Sequence, residues 1–402
     1  MKALLLATTA PDGSSHQQTG STNWILRLCK TLSLNHKITL LTPPSAQDPW
    51  IEQENISLLE LPLKKTSARL PRIIASFFQG IYPSIWTLYS QATSQYLRKL
   101  QEKEFDVCWL LDDYAGIYLR DIPLHLPTVF TRHYLFSMQN NFVSGTGLLS
   151  WVKGRFHQHT AISFDRWTTG RADIVTLGTQ ESCSFLRDIC PENRVEYLPT
   201  KPCNLPVPTN CHKIGSPRGP GGRLKAVFLA DMSFIRNAEG ANWFLKEVLP
   251  AMPEALLKQY HFQFIGRKPV TLPNLDNLPV DSSVEFVGFV NDLTACLHES
   301  QVAFIPVFGG NGIRLKTLTL LGTGLPTVST PDALEGLDLT NGENVLKATS
   351  AKDFIRAFEI LLDAEHRLTI SRNCLHAMDK FLGEAEDADR VLELSRSITH
   401  AA

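Results

Sequence analysis

The chain has 402 residues, of which 43% are hydrophobic and 20% are charged. Its 39 Lys and Arg residues balance 40 Asp and Glu residues, and a net charge of −1 disfavours a general nucleic-acid binder. A single hydrophobic core stops growing at about 250 to 300 residues, so two domains are expected. No uncharged apolar run is long enough to span a bilayer, and the N-terminal apolar stretch, residues 3–7, is too short for a signal peptide.

The cysteines and acidic residues predict no metal site. The eight cysteines form no CxxC pair and have no His at zinc-ligand spacing, so we expect reduced thiols in a cytoplasmic protein. The adjacent carboxylates of Asp112 and Asp113 lie in a predicted strand and are expected to point to opposite faces.

Short apolar runs alternate with helical patterns in the first 200 residues, which is typical of an α/β domain with a parallel sheet. The predicted strands are 2–8, 36–43, 56–63, 106–113, 127–133, 172–178 and 194–200, and the predicted helical segments are 23–34 and 72–103. Proline and glycine replace the periodic apolar residues over 201–222, which predicts a linker.

A second series of strands and helices follows this linker. The predicted strands are 224–231, 261–266, 284–290, 302–307 and 326–331, and the predicted helices are 238–248, 314–323 and 351–362. The chain is therefore predicted to form two doubly wound, Rossmann-like α/β domains, 1–200 and 223–383, that face a cleft. Ligands of such sheets bind beyond the carboxyl ends of the strands.

A glycine-rich loop is the strongest local signal. Gly309, Gly310 and Gly312 follow a predicted strand and precede a helix, so backbone amides and the positive helix end are expected to converge on an anion. Arg314 and Lys316 lie in the first helical turn, where positive charge is unfavourable unless an anionic ligand such as a diphosphate is bound. The alternative is a tight turn beside two solvated cations.

The segment GGNGIRLKTLTLLGTGLPTVSTPDALEGL, residues 309–337, resembles the group 1 glycosyltransferases, the retaining family 4 enzymes of GT-B fold, and especially their exopolysaccharide sugar-transferase branch. Three further segments resemble the family in the same order along the chain: FDRWTTGRADIVTLGTQESCSFLRD (164–188), FLADMSFIRNAEGANWFLKEVLP (228–250) and VEFVGFVNDLTACLHESQVAFIPV (284–307).

This resemblance implies a hexosyltransferase that moves a sugar from a nucleotide-diphosphate sugar to a hydroxyl of a glycan, lipid-linked or protein acceptor, in polysaccharide or glycoconjugate synthesis. It implies retaining chemistry without a protein nucleophile, a metal or another cofactor. Arg314 and Lys316 would hold the diphosphate together with the loop residues Gly309, Gly310, Asn311, Gly312 and Ile313. A helix over 384–398 would cross back to the first domain.

One position departs from the family pattern. Thr319 stands where the family has a Glu that grips the ribose, and a hydroxyl cannot accept two hydrogen bonds from a diol as a carboxylate can. Glu335 would compensate, or would serve only as a helix N-terminal charge. Arg236 occupies another usual cationic position, where it contacts phosphate or the surface of its own loop.

In the first domain, His133 lies at the end of the strand predicted over 127–133 and matches a strand-end histidine that the family has near the reacting sugar. A neutral imidazole there would hydrogen-bond a donor or acceptor hydroxyl, although a lone histidine is more often structural. The family's first loop carries a Gly-Gly pair, which is absent here, so either Gly13 or Gly20 would approach the donor phosphate, and His16 is a weaker candidate in the same loop.

Basic and aromatic residues over 64–91 allow peripheral contact with an anionic membrane at the cytoplasmic face, or an ordinary helix on the sheet. Two other functions stay open for the whole chain. One is a catalytically degenerate GT-B protein that binds a glycan or a partner, and the other is a sugar-phosphate-binding regulator.

Overall fold

The computed structural model describes residues 1–8, 20–43, 55–60, 85–101, 104–138, 148–199, 214, 220–268, 278–309 and 312–383. The chain divides into two compact units, the first formed mainly by residues 1–203 and the second mainly by residues 204–385. The linker predicted over 201–222 falls largely outside the described residues, as do most of the segment 64–91 and the helix predicted over 384–398.

The first unit contains a seven-stranded parallel sheet. Its strands are β1 (Lys2–Leu6), β2 (Lys37–Thr42), β3 (Ile56–Glu60), β4 (Val107–Leu110), β5 (Thr128–Arg132), β6 (Ile174–Leu177) and β7 (Val195–Tyr197), in the order β3-β2-β1-β4-β5-β6-β7. Its α-helices are α1 (Gly20–Ser33), α2 (Gln91–Leu97), α3 (Leu148–Arg171) and α4 (Gln180–Ile189). The strands β4 and β6 are short buried runs, as expected for a parallel sheet covered on both faces.

The second unit contains a six-stranded parallel sheet. Its strands are β8 (Leu224–Leu229), β9 (Tyr260–Ile265), β10 (Val284–Gly288), β11 (Val302–Ile305), β12 (Thr327–Ser329) and β13 (Leu346–Lys347), in the order β10-β9-β8-β11-β12-β13. Its α-helices are α5 (Ile235–Trp243), α6 (Glu254–Leu257), α7 (Leu293–His298), α8 (Leu315–Gly322), α9 (Ala351–Ile360) and α10 (Ala364–Gly383).

Aromatic rings form much of the core of this second unit. The rings of Phe244 and Phe304 lie 4.4 Å apart between centroids, and Phe228, Phe262 and Phe358 surround them. Their burial holds the helix that follows β8 against the sheet, which fixes the helix start near the carboxyl ends of the strands.

The structure confirms the predicted α/β class with two parallel sheets, and it corrects several boundaries. The helix predicted over 238–248 is the α-helix α5 followed by a single π-helical turn, Phe244–Val248. Within the described part of the segment predicted over 72–103, a 3₁₀ turn (Ile85–Leu88) precedes the short helix α2. Asp112 and Asp113 follow β4 instead of lying in it, because the strand ends at Leu110.

Candidate anion-binding site

The second sheet has a topological switch point between β8 and β11. The chain leaves β8 through α5 towards β9, whereas it leaves β11 through α8 towards β12 on the other side. Ligands of doubly wound sheets bind in the crevice outside the carboxyl ends of two such strands. Arg236 lies in the first turn of α5, and Arg314 and Lys316 lie at the start of α8, so the topology brings the three cations to this edge.

The loop between β11 and α8 depends on glycine. Gly309 and Gly312 have φ angles of 64° and 93°, which favour glycine strongly. A Cβ atom on Gly309 would lie 2.7 Å from Nη1 of Arg236, so the missing side chain lets the guanidinium approach the loop backbone. The backbone N–H of Gly309 donates to Oδ2 of Asp332 at 2.6 Å. Gly310 and Asn311 lie outside the described residues.

Arg314 fastens this loop to the turn that follows β12. It is the N-cap residue of α8, and its guanidinium donates to the backbone carbonyl oxygens of Gly309 and Asp332. Burial lowers the pKa of Arg314, while the nearby carboxylates of Glu335 and Asp332 act in the opposite direction. The carbonyl oxygens of Gly309 and Asp332 are neutral, so these two hydrogen bonds orient the cation without neutralising its charge.

Lys316 is half-buried beside Arg314. Its ammonium group donates to Oδ1 of Asn237 and lies 5.6 Å from the ring centre of Phe228. Burial, and next the charge of Arg314, lower the pKa of Lys316 to about 7. An anion bound at this point would favour the charged lysine and raise its pKa again.

Arg236 supplies the third cation of this edge. Among the described residues, the buried Nη1 of Arg236 has no hydrogen-bond partner. A buried donor of this kind is costly, and an anionic ligand would satisfy it. Gly240 allows this placement, because a Cβ atom there would lie 2.1 Å from the carbonyl oxygen of Pro306, so α5 approaches the chain leaving β11 very closely.

The second unit contains three further predicted residues, Glu335, Thr319 and Ile313. Glu335 ends the 3₁₀ turn Pro331–Leu334 and is close enough to act on the pKa of Arg314, whereas Thr319 is half-buried within α8. Ile313 packs against the apolar cluster of Leu318 and Leu321. The structure brings together five of the predicted residues, Arg236, Gly309, Arg314, Lys316 and Glu335.

Sequence reasoning missed two members of this arrangement, Asn237 and Asp332. Asn237 holds the ammonium group of Lys316, and Asp332 binds the backbone of Gly309. Asn237 directly follows Arg236 between the predicted strand 224–231 and the predicted helix 238–248, so its position in the sequence is a signal for the site. The contact of Asp332 joins residues 23 positions apart and has no local signature.

The first sheet has its own switch point between β1 and β4, and a carboxylate occupies it. Asp112 follows β4 and accepts hydrogen bonds from N and Oγ1 of Thr8, at 2.6 and 2.7 Å. It also accepts from the backbone N–H groups of Tyr114 and Ala115. This single side chain therefore ties the end of β1 to the end of β4.

Arg132 ends β5 and is fully buried between two carboxylates. Its Nη2 lies 2.6 Å from Oδ1 of Asp165, and its Nε lies 3.4 Å from Oδ1 of Asp113. Burial raises the pKa of Asp113 to about 6, although the neighbouring guanidinium opposes this shift. Arg132 is thus a neutralised structural cation.

His133 directly follows β5, and its surroundings combine a packing contact with an unsatisfied ring nitrogen. Its ring packs edge-on against Trp24 at 5.1 Å between centroids, and its buried Nε2 has no hydrogen-bond partner among the described residues. Burial lowers the pKa of His133, against the opposing charge of Asp112, so the imidazole is neutral at neutral pH. A neutral ring with one unsatisfied nitrogen can hydrogen-bond a hydroxyl group.

The first loop is only partly described. Gly20 is the first residue of α1, whereas Gly13 and His16 lie outside the described residues. Within the described ranges, no group of three His, Cys, Asp or Glu side chains has a geometry that could hold a metal ion. The described helices also include none with the length and hydrophobicity needed to cross a bilayer.

One protein-family model matches a stretch of the second unit. Residues 223–364 match the family model "Glycosyl transferases group 1". This stretch contains the loop, all three cations and Glu335. No curated protein matches the chain significantly.

Solved structures match the whole chain. Sucrose-phosphate synthase from Thermosynechococcus elongatus is 14% identical with a TM-score of 0.65, and each chain covers 100% of the other. Anabaena HepE in complex with UDP-glucose is 12% identical with a TM-score of 0.62 and the same full coverage. WaaG, a glycosyltransferase involved in lipopolysaccharide biosynthesis, is 15% identical with a TM-score of 0.62, over 98% of this chain and 99% of its own. At these identities the matches establish the GT-B fold.

Proposed function

We propose that the protein is a glycosyltransferase that moves a hexose from a UDP-sugar to an acceptor hydroxyl in polysaccharide or glycoconjugate synthesis. The retaining, metal-independent chemistry implied by the family resemblance is part of this proposal. The observation that carries it is the arrangement of Arg236, Arg314 and Lys316 at the β8/β11 switch point, within the stretch that matches the family model.

The electrostatics of this edge support a diphosphate ligand. Arg314 and Lys316 are oriented by neutral oxygen atoms, and Nη1 of Arg236 is buried without a partner among the described residues. A diphosphate would hydrogen-bond all three groups. These cations would also stabilise the negative charge that grows on the leaving nucleotide as the glycosidic bond breaks.

Two relatives of the fold favour uridine as the base of the donor. HepE was solved with UDP-glucose, and the trehalose-6-phosphate enzyme from E. coli was solved with UDP-2-fluoro glucose. The latter is 11% identical with a TM-score of 0.58, so it supports the fold and suggests the ligand to test first. In the first unit we propose that the neutral His133 hydrogen-bonds a sugar or acceptor hydroxyl.

Calorimetric titration with UDP and UDP-glucose tests the donor site. Replacing Arg314 by Gln or Lys316 by Met removes a charge-assisted hydrogen bond, so we expect UDP affinity to fall roughly 10- to 100-fold in each variant. Replacing Arg236 by Gln should have a similar effect. Lys347→Met is the matched control, because Lys347 is an exposed lysine of the same unit, on β13. Unchanged affinity in all three site variants would refute the diphosphate assignment.

Thr319 favours one alternative, a catalytically degenerate protein that binds a glycan or partner. This side chain replaces the carboxylate that the family resemblance places on the ribose, and Glu335 lies close enough to Arg314 to act on its pKa. Release of UDP from UDP-glucose, with water or a glycan as acceptor, separates the two functions. Donor binding without turnover across a set of sugars and acceptors would favour the degenerate protein, and Thr319→Glu would then be expected to strengthen donor binding.

A further inference from the structure

Asn237, in the first turn of α5, makes two side-chain hydrogen bonds of opposite sense. Its Nδ2 donates to the backbone carbonyl oxygen of Asp231 at 2.7 Å, and its Oδ1 accepts from the ammonium group of Lys316. Asp231 lies just beyond the end of β8, and Lys316 lies at the start of α8. One amide group therefore joins the chain leaving β8 to the helix that follows β11.

The amide of Asn237 has a single orientation that satisfies both partners. A carbonyl oxygen can only accept hydrogen bonds, and an ammonium group can only donate them. Turning the amide by half a rotation would place Oδ1 against the carbonyl oxygen of Asp231 and Nδ2 against the ammonium group of Lys316. Both contacts would then be repulsive, so the carbonyl of Asp231 fixes which end of the amide faces Lys316.

The turn that carries this carbonyl is itself held in place. Oδ1 of Asp231 accepts hydrogen bonds from N and Oγ of Ser233, at 2.9 and 2.6 Å. The backbone N–H of Met232 donates to the carbonyl oxygen of Arg267, which follows β9, at 2.9 Å. Asn237 is thus oriented by a turn that is anchored to the neighbouring strand end.

The charged groups of this edge are Arg236 on α5, Arg314 at the start of α8, Asp231 after β8, and Asp332 and Glu335 after β12. Arg314 is the group whose charge acts on Lys316. The carboxylates of Asp332 and Glu335 act on Arg314, and that of Asp231 accepts from Ser233. The ammonium group of Lys316 is therefore oriented by an uncharged oxygen, with the ring of Phe228 on its β8 side.

We propose that Asn237 is a positioning residue for the donor diphosphate, which holds Lys316 at the anion site without competing for its charge. This inference rests on the proposed donor site. An amide oxygen accepts from a charged ammonium group and from a neutral amine alike, so the contact survives the loss of a proton. A carboxylate in the same place would pair with the cation, as Asp165 does with Arg132, and would oppose its use by a diphosphate.

Calorimetric titration with UDP-glucose at a series of pH values tests this role in Asn237→Asp, which keeps the shape of the side chain and adds a carboxylate. Below pH 7 we expect its affinity to be roughly 10-fold lower than that of the wild type, because the carboxylate competes for Lys316. As the pH rises through 7, its affinity should stay flat, since the carboxylate keeps Lys316 protonated, whereas the wild type loses affinity. A residue that only supported the fold would lower the affinity and leave its pH dependence unchanged.

Asn373→Asp is the matched control. Asn373 is exposed on α10, and its Nδ2 likewise donates to a backbone carbonyl oxygen, that of Glu343, at 2.9 Å. This variant adds the same charge away from the anion site, so it should keep both the affinity and the pH dependence of the wild type.

A ¹³C NMR titration of the lysine ε-carbons provides a second measurement that needs no nucleotide. The signal of Lys316 is identified by its loss in Lys316→Arg. In Asn237→Asp the pKa of Lys316 should rise from about 7 towards its ordinary value of 10.5, and in Asn373→Asp it should stay unchanged.

Two outcomes would overturn the role of Asn237. One is an unchanged titration of Lys316 in Asn237→Asp, and the other is a UDP-glucose affinity of this variant that falls with pH as steeply as that of the wild type. A wild type that binds neither UDP nor UDP-glucose would instead refute the donor site. The NMR titration would then decide alone whether Asn237 controls the charge of Lys316, so the two proposals fail separately.

Discussion

The two sheets place opposite charges at equivalent points. At the β1/β4 switch point, Asp112 is surrounded by hydrogen-bond donors, and the nearby Arg132 is held between Asp113 and Asp165. At the β8/β11 switch point, the cations Arg314 and Lys316 contact neutral oxygens. The same architecture thus yields one edge where Arg132 is paired directly with carboxylates, and another where Arg314 and Lys316 donate to neutral oxygens and the carboxylates of Glu335 and Asp332 act on Arg314 through their charge.

This difference shows how burial alone fails to identify a binding cation. Arg132 is more completely buried than Lys316, yet its two carboxylate neighbours make it structural. Lys316 is only half-buried, but its surroundings lower its pKa to about 7. The chemistry of the partners, charged or neutral, decides which cation can exchange its contacts for an anion.

Replacing Arg132 by Met is the strongest test of this contrast. The variant leaves Asp113 and Asp165 buried without their cation, so we expect a loss of about 3–5 kcal/mol in the free energy of unfolding. Urea unfolding measures this loss. Lys316→Met is the comparison variant, and it should be neutral or slightly stabilising, because it removes a cation that burial disfavours. Equal losses in the two variants would contradict the proposed difference between the edges.

The sequence predicted the strands well because each is a short apolar run, and it predicted their ends poorly. Asp112 and Asp113 extended one predicted strand, although their side chains in fact turn to Thr8 and Arg132. The helix α10 was missed, yet Ile370, Cys374 and Met378 recur at four-residue spacing and are buried. That periodicity was available in the sequence.

Part of the site could be predicted, because several of its residues are close together in the sequence. Gly309, Arg314 and Lys316 share one short segment, so their convergence follows from a strand, a loop and a helix start. The pairing of Arg132 with Asp165 joins two elements 33 positions apart, and no local pattern records it. Local motifs therefore revealed the candidate ligand cations, whereas compensation by distant carboxylates required the fold.

Two helical glycines, one in each unit, should respond differently to replacement by alanine. Gly240 in α5 packs against the backbone carbonyl of Pro306, whereas a Cβ atom on Gly170 in α3 would meet nothing within 4 Å. Gly240→Ala should therefore destabilise the protein by about 1–3 kcal/mol through overpacking. It should also weaken UDP binding, since it displaces the helix that carries Arg236.

Gly170→Ala is the control, and it should stabilise the protein by about 0.5–1 kcal/mol because alanine is the better helix former. Thermal unfolding with and without UDP measures both effects. A Gly240→Ala variant with unaltered stability and UDP affinity would show that the close approach of α5 to the chain leaving β11 is unimportant for the site.

The smallest predicted effect is a pH dependence that distinguishes the two edges. Lys316 has a pKa of about 7 in the folded protein, below its ordinary value of 10.5, and a bound diphosphate raises it. Affinity for UDP-glucose is therefore highest below pH 7, where Lys316 is protonated, and it falls by up to tenfold per pH unit as the pH rises through that value. UDP-glucose is the suitable ligand because its diphosphate is esterified at both ends and does not itself titrate in this range.

Lys316→Arg provides the decisive comparison, because a guanidinium stays protonated throughout this range. Its UDP-glucose affinity should be flat above pH 7, and Lys316→Met should be flat as well but weaker. Asp113 in the first unit has a pKa of about 6 and titrates below this window, so it does not account for a loss of affinity at higher pH. If the affinity of the Arg variant fell with pH as steeply as that of the wild type, the titrating group would lie elsewhere. Lys316 would then not be the cation whose protonation controls UDP-glucose binding at the β8/β11 edge.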